Sequence, residues 1–551
     1  VTLLAGANTV TAGDGINRID IQAGTNRVVL GDGGNTVELN NGTNTVMAGA
    51  GADSITAVSG SNFVDAGDGD NLVHLTSGVN TVVAGDGVNT IDIDAGNNKV
   101  TAGDGGNNVQ VLAGFNLINT GAGADSVTAQ SGDNTLRAGA GADVIQLNNG
   151  ANSVDAQSGA DTIVAVSGSN RIDAGSDSDV ILLENGSNTV FGGSGTDSIT
   201  VSNGTNVIDA GTEDDTITAS GGTNTITAGD GNDAITLNNG INSLVAGSGA
   251  DTITAASGIN TIDTGDDDDV ITLNNGTNNV YGGSGLDSIT ASGGTNTIDA
   301  GVNNDTINLN NGTNSVIAGT GADTITALSG LNTIDGGDGA DVINLSGGDN
   351  TVFGASGADS ITATAGRNVV NTGADDDIIH LSNGTNSVIA GVGADTITAT
   401  NGTNTIEAGS DADVISLSGG NNTVFGGSGT DSITASDGTN VIDAGTEDDN
   451  ITASGGTNTI NAGEGDNTIT LNNGTNSVVA GAGADTITAT NGTNTVQAGE
   501  GADVISLSGG SNTVYGASGT DSITASNGIN VIDAGTENDT ITASGGTNTI
   551  T

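Results

Sequence analysis

One carboxylate returns every eighteen residues in this chain. Asp125, Asp143, Asp161, Asp179, Asp197, Asp215, Asp233, Asp251, Asp269, Asp287, Asp305, Asp323, Asp341, Asp359, Asp377, Asp395, Asp413, Asp431 and Asp449 form an unbroken series, and Asp485, Asp503, Asp521 and Asp539 resume it in the same phase. Acid–base catalysis needs carboxylates whose surroundings push their pKa values apart, and copies of one group among copies of the same neighbours lack that asymmetry. His74 and His380 lie far apart in this register, and Arg18, Arg27, Lys99, Arg137, Arg171 and Arg367 do not converge. With no Cys the chain has no thiol nucleophile, thiolate metal site or disulfide framework. The expectation is a protein that is not an enzyme. The charge points to cations as the ligand class. Asp and Glu number 65 against 6 Lys and Arg, giving a formal −59, and such a surface repels nucleic acid and anionic membranes.

The elements that position this series are short and repeated. Sixty consecutive nine-residue units run from Leu4 to Ala543 without insertion or deletion, followed by the remnant Ser544 to Thr551. The seventh residue of every unit is Ile, Val or Leu, from Val10 and Ile19 to Ile532 and Ile541. The fifth residue doubles the period. In alternate units it is always Asn, from Asn8 and Asn26 to Asn530. In the intervening units it is the Asp of the series or Asp53, with Asn17, Asn35, Asn71, Asn89, Asn107 and Asn467 as exceptions. Copies of SGTDSIT or close variants begin at Ser194, Ser284, Ser356, Ser428 and Ser518, always whole multiples of eighteen apart. A fixed period of this kind is the mark of a solenoid.

Gly, Asn and Thr are abundant, and the apolar residues do not recur at helical spacing, so the repeat is strand and turn. Each unit reads as a Gly-rich turn of five or six residues followed by a short strand such as TIT, SIT or TVF. Its Ile or Val points inward between outward neighbours. The ninth residue also returns inward, with Leu237, Leu273, Leu309 and Leu345 alternating with Ala in a small–large packing scheme. Aromatics are 1% of the chain and Gly numbers 95, so the core is a thin aliphatic line. The fold class is all-β, a parallel β-solenoid of about thirty coils, roughly 140–150 Å long at the spacing of paired strands. It is read as one continuous domain over 1–551, Asn-rich on both edges in 1–111 and regular, with one Asp edge and one Asn edge, in 112–551.

Gly192–Thr200 (GGSGTDSIT), Gly282–Thr290 (GGSGLDSIT), Gly336–Asn344 (GGDGADVIN) and Gly426–Thr434 resemble the G-G-x-G-x-D-x-U-x nonapeptides of RTX (repeats-in-toxin) proteins. The resemblance implies a right-handed parallel β-roll with two nonapeptides per coil and Ca²⁺ between successive turns on the same edge. Calcium is then the cofactor, and the ligands are the Asp series with carbonyls of the same turns, which suits a hard cation that takes six to eight oxygens. Carboxylates stacked about 4.8 Å apart would repel one another without it. The chain departs from the family pattern in carrying only Asn on one edge, where amides can bond their copies as a ladder, so calcium is expected on one edge alone. Several turns lose their central Gly, as at Asp177, Glu213, Asp267, Asp375, Glu447 and Glu537. Asp tolerates a left-handed backbone better than Glu, which marks the three Glu turns as the strained ones.

The function expected is mechanical: an extracellular, calcium-stiffened segment of a fibre, surface layer or adhesin stalk, at or outside a prokaryotic cell surface. The alternatives are an ice-binding solenoid using outward Thr ranks such as Thr216 and Thr218, and a polysaccharide-active solenoid enzyme. Phe191, Tyr281, Phe353, Phe425 and Tyr515 share one outward strand position and form a candidate interface for a second copy or a surface polysaccharide. No apolar run has the length of a transmembrane segment, and the chain opens at Val1 with no leader pattern. Open strand edges at both ends suggest a segment of a longer chain or self-association end to end.

Overall fold

The computed structural model describes residues 1–551. It is an all-β parallel solenoid with eighteen residues per coil and no helix, and its strands fall alternately into two parallel sheets. Two compact units, Val1–Asn279 and Val280–Thr551, share this construction. In the first, Ser198–Val201 pairs with Thr216–Ala219 through Ile199↔Ile217, and Thr205–Thr212 pairs with Thr223–Asp230 through Asn206↔Asn224 and Ile208↔Ile226. In the second, Thr306–Leu309 pairs with Thr324–Ala327, and Thr313–Thr320 with Leu331–Asp338. Every one of these partners is eighteen residues away, so each side chain stacks on its own equivalent.

The two sheets differ more than the nine-residue reading suggests. Most strands following an Asp are four residues long, such as Ser198–Val201, the last few being five, such as Val504–Ser508, whereas most strands carrying the Asn are eight, such as Thr205–Thr212. The short strand expected in every unit is therefore found throughout one sheet and, in the other, only in some coils such as Thr25–Val29 and Phe115–Asn119. In the other, pairing begins one residue before the Asn and runs on through the following Gly, as in Gly193↔Gly211. The Asn thus belongs to a strand and not to a turn. We call the two the Asp sheet and the Asn sheet.

Burial alternates strictly along both. In the Asn sheet Asn206, Ile208 and Ala210 are buried while Thr205, Val207 and Asp209 face outward. In the Asp sheet Asp197, Ile199 and Val201 are buried while Ser198 and Thr200 face outward. The core is a stack of Ile, Val, Leu and Ala, and Leu237, Ala255 and Leu273 alternate in it as the small–large scheme requires. Turns hold the left-handed backbone. At Gly204 (φ 96°) an added Cβ would run into the backbone of Gly186 one coil back, so glycine stacks on glycine because neither the angle nor the space admits a side chain. Glu213, Glu447 and Glu537 do adopt left-handed φ of 73°, 75° and 80°. Each turns its carboxylate onto the backbone N–H of the Gly one coil back; Gly195 donates to Glu213 at 2.8 Å. That bond offsets the unfavourable angle.

Candidate metal centre

The Asp series does not lie on a solvated rim. From Asp125 to Asp521 every one of its carboxylates is buried inside the coil, and only Asp539 is partly open. The arrangement is the same in each coil. One carboxylate oxygen, Oδ1, accepts the backbone N–H of the Asp one coil back: Asp197 donates to Asp215 at 2.7 Å, and Asp215 to Asp233 at 2.7 Å. The other oxygen has no such donor. From Asp143 to Asp251, from Asp305 to Asp359 and from Asp395 to Asp449, Oδ2 is buried without a hydrogen-bond partner. A single orphaned carboxylate oxygen is costly in a protein interior. A file of them calls for a positive charge that the protein itself does not supply.

The coils where Asn replaces Asp show what surrounds that oxygen. Asn107 donates from Nδ2 to Gly103 O at 3.0 Å, Gly105 O at 2.9 Å and Thr120 O at 2.8 Å. Asn35 does the same with Gly31, Gly33 and Ala48. Three carbonyl oxygens therefore converge on the second polar atom of this side chain. By register their equivalents around Asp197 are those of Gly193, Gly195 and Ala210. A Cβ placed on Gly192 would overlap both Asp197 Oδ2 and Ala210 O, so this carbonyl and the orphaned oxygen share one small space. Gly336, Gly354, Gly426 and Gly516 crowd the Oδ2 of Asp341, Asp359, Asp431 and Asp521 in the same way. Carbonyls facing a carboxylate repel it unless a cation or a proton lies between them. No three carboxylate or imidazole side chains converge anywhere, so an ion here would draw on backbone carbonyls, as calcium commonly does.

The carboxylates register this environment. Burial pushes Asp143, Asp179, Asp215 and Asp251 up to about 7, against the lowering effect of the backbone N–H on each, and neighbouring carboxylates add to the rise. Asp161, Asp197 and Asp233 rise to about 6 for the same first cause. In the second unit Asp305, Asp359, Asp413 and Asp449 rise to about 7. Without metal, part of the row holds protons near neutrality. At Asp125 and Asp377 a hydroxyl modifies the pattern, since Thr120 and Thr372 stand beside the carboxylate and donate to the carbonyls of Ala138 and Ala390 at 2.8 Å.

The opposite edge has no such vacancy in its bonding. Within Asn8 to Asn278 and within Asn296 to Asn548, each amide donates to the Oδ1 of the next; Asn206 reaches Asn224 at 2.8 Å. Many spend their second hydrogen on the carbonyl three residues back, as Asn206 does on Asn203 at 3.1 Å. The remaining candidates scatter. Tyr281, Phe353, Phe425 and Tyr515 are exposed on the Asn sheet at 42–45% of their surface, whereas Phe191 is half-buried with the Arg171 guanidinium 4.5 Å from its ring centre. Arg137 pairs with Asp155 at 2.9 Å and His74 lies 3.2 Å from Asp94, both near the surface. A surface groove of about 830 Å³ between Val79 and Val207 contains no member of the carboxylate row.

The residues present fit calcium: a buried oxygen without a partner, three converging carbonyls, and a hard, purely oxygen donor set. Bound there, the ion would supply the charge that lets stacked carboxylates stay ionised. The protein's own groups fix the site, since the backbone N–H on Oδ1 aims Oδ2 at the carbonyls. No helix is long and apolar enough to cross a membrane. No curated protein matches the chain. Among solved structures, the X-ray crystal structure of a hyperactive, Ca²⁺-dependent, β-helical antifreeze protein from an Antarctic bacterium is similar at 22% identity, covering 48% of this chain and 84% of that one with a TM-score of 0.29. The model of the RTX calcium-binding nonapeptide repeat matches in successive copies from residues 38–73 to 524–551. With its period, its parallel coils and its rows of inward carboxylates, the chain belongs to the family of RTX calcium-binding nonapeptide repeats, and its metal is Ca²⁺.

Proposed function

We propose that this is an extracellular structural protein of a prokaryote, a solenoid segment of a fibre, surface layer or adhesin stalk that calcium stiffens. The observation that carries the reading is the repetition of one unsatisfied carboxylate oxygen in coil after coil, in nearly the same surroundings each time. A catalyst or a receptor concentrates its chemistry at one place; a row of equal sites changes the cohesion of the whole stack. The ligands are Asp125 to Asp449 and Asp485 to Asp539, each with its turn carbonyls. Acidic repeats whose Asp edge closes only with calcium would stay loose where calcium is scarce and close outside the cell. The exposed Tyr281, Phe353, Phe425 and Tyr515 are the docking points for a second copy or a surface polysaccharide.

The test is a calcium titration of chelated protein, followed by circular dichroism and a count of bound ions. Cooperative gain of β-structure is expected. The ion count should approach one per adjacent Asp pair, of which eight lie within Asp125–Asp269, nine within Asp287–Asp449 and three within Asp485–Asp539. A roll already fully formed in chelator and binding no calcium would overturn the reading. One feature supports a second function. Thr200, Thr218, Thr236, Thr254 and Thr272 pair in register on the outer face of the Asp sheet, a hydroxyl rank suited to ice. Thermal hysteresis that disappears when these threonines are replaced by Lys, with the coil still folded, would favour it.

A further inference from the structure

Five of the first six coils solve the problem of the buried polar row without metal; in the other, Asp53 leaves its Oδ2 buried without a partner, as the later Asp residues do. At Asn17, Asn71 and Asn89 the side-chain amide donates to the carbonyls of the first and third residues of its own turn and to the Oδ1 of the next Asn. For Asn71 these bonds are 2.9 Å to Gly67, 2.9 Å to Gly69 and 3.0 Å to Asn89. Where the next residue in the row is Asp, at Asn35 and Asn107, the third bond goes instead to the carbonyl of the residue just past an Asn-sheet strand, Ala48 or Thr120. The amide nitrogen thus points its hydrogens at the very carbonyls that flank the orphaned oxygen elsewhere, and so does the work of the cation. Asp53 is the single carboxylate among these positions. Its neighbours in the row are both Asn, so no two carboxylates of this buried row adjoin before Asp125 and Asp143; Asp68, Asp86 and Asp104, which stack in the same turns, are exposed and each accepts a backbone N–H from the next coil.

A second, independent observation marks the same stretch. The last inward residue of the Asp-sheet strand is large in five of these six coils: Ile21, Leu39, Leu75, Ile93 and Val111, all fully buried, with Ala57 the exception. Beyond it Ala occupies about every second coil, as at Ala129, Ala165, Ala219 and Ala255. The opening coils therefore bury more aliphatic surface each, which strengthens cohesion that does not depend on charge. In a solenoid, stability is the sum of each coil's own contribution and its interface with the next. A stretch whose interfaces need no ion remains folded when its neighbours do not.

We propose that residues 13–111 form a calcium-independent template, in which Asn17, Asn35, Asn71, Asn89 and Asn107 occupy the cation positions with their own amides, and that calcium-dependent closure starts at the Asp125–Asp143 pair. The template presents a formed strand edge on each sheet, and the first metal-dependent coil adds to that edge instead of nucleating alone. This rests on the calcium assignment above.

Hydrogen exchange of the full chain, resolved by peptide at about pH 8, tests it in chelator and in calcium. In chelator, peptides within 13–111 should exchange at least about tenfold more slowly than those within 125–269, and calcium should slow only the latter. In the triple variant Asn71→Asp/Asn89→Asp/Asn107→Asp, protection of 67–111 should become calcium-dependent. In the reciprocal variant Asp143→Asn/Asp161→Asn/Asp179→Asn, metal-free protection should extend toward residue 180. Equal, fast exchange of 13–111 and 125–269 in chelator, with both slowed by calcium, would overturn the template while leaving the calcium assignment intact. Exchange unaffected by calcium anywhere, with no ion bound, would overturn the calcium assignment itself.

Discussion

Replacing a single carboxylate in the middle of the row should strengthen the metal-free protein and weaken the metal-bound one. Asp215 is buried, its Oδ1 takes the N–H of Asp197, and its Oδ2 has no partner. Burial first, and then the charges of Asp197, Asp233 and Glu213, raise its pKa from 3.8 to about 7. An acid whose folded pKa is raised favours the folded state while protonated, so this contribution is whole below about pH 4 and is lost as pH climbs through about 7. At pH 8 the ionised group then costs up to about 4 kcal/mol, roughly three pKa units at 1.36 kcal/mol each, and less where neighbours share protons along the row. Asp215→Asn removes the charge and supplies hydrogens for the turn carbonyls, as Asn107 does. In chelator at pH 8, hydrogen exchange across residues 197–236 should slow by up to about a thousandfold, and the gain should vanish near pH 4. In calcium, native mass spectrometry should find two fewer ions, because the carboxylate borders two gaps between coils. A variant less stable than the parent in chelator at pH 8, or one that keeps every ion, would refute the assignment of Oδ2 as the unsatisfied ligand.

Three further outcomes follow from the same geometry. Calcium affinity should fall as pH drops from 7 to 5 while the chelated protein gains stability over the same range, since the proton and the ion compete for carboxylates raised to about 6 and 7; calorimetry in two buffers should register protons released on binding. Asn206→Ala should cost about 2–5 kcal/mol with or without calcium, by stranding the Asn188 amide and the Asn224 carbonyl and leaving a cavity, and urea unfolding in both conditions measures it. Gly192→Ala should leave the coil folded, because Ala210 holds the equivalent position, yet displace Asp197 Oδ2 at an overpacking cost of about 1–3 kcal/mol. The ion count should then drop at high chelator-buffered dilution and recover at saturating calcium.

Much of this was legible in the chain itself. Val10 to Ile541 mark the inward position without exception, and the Asn and Asp series mark the coil, so topology and register follow from spacing alone. What escaped was the direction of the fifth residue. Read as part of a turn, Asp197 is a ligand with no assigned direction; read by alternation, it lies on the same side as Ile199 and Val201 and must be inside. Extending the two-residue period back from the strand would have found it. The eight-residue strands of the Asn sheet were less accessible, because they depend on backbone pairing through Gly193 and Gly211, positions that a local pattern assigns to turns. The meaning of Asn107 was hidden for a related reason. Its sequence records the loss of a ligand, and only the three carbonyls around its amide show that the replacement satisfies the position.

The two edges of the coil are then two answers to one constraint. Stacking a polar side chain on its own copy every eighteen residues requires each copy to give as well as receive. An amide does both, so Asn206 closes on Asn224 and the Asn edge is complete under all conditions. A carboxylate only receives: its backbone donor satisfies Oδ1, and Oδ2 is left facing carbonyls that also only receive. The Asp edge is for that reason conditional on something positive, a proton in acid or calcium near neutrality. A coil with one permanent edge and one conditional edge does not dissolve when metal is withdrawn above pH 7. It keeps the Asn ladder as a hinge and opens at the Asp turns. The expected signature is protection lost first in the Asp turns, 193–197 and 211–215, and last at Asn206, a gradient within each coil that uniform unfolding would not produce.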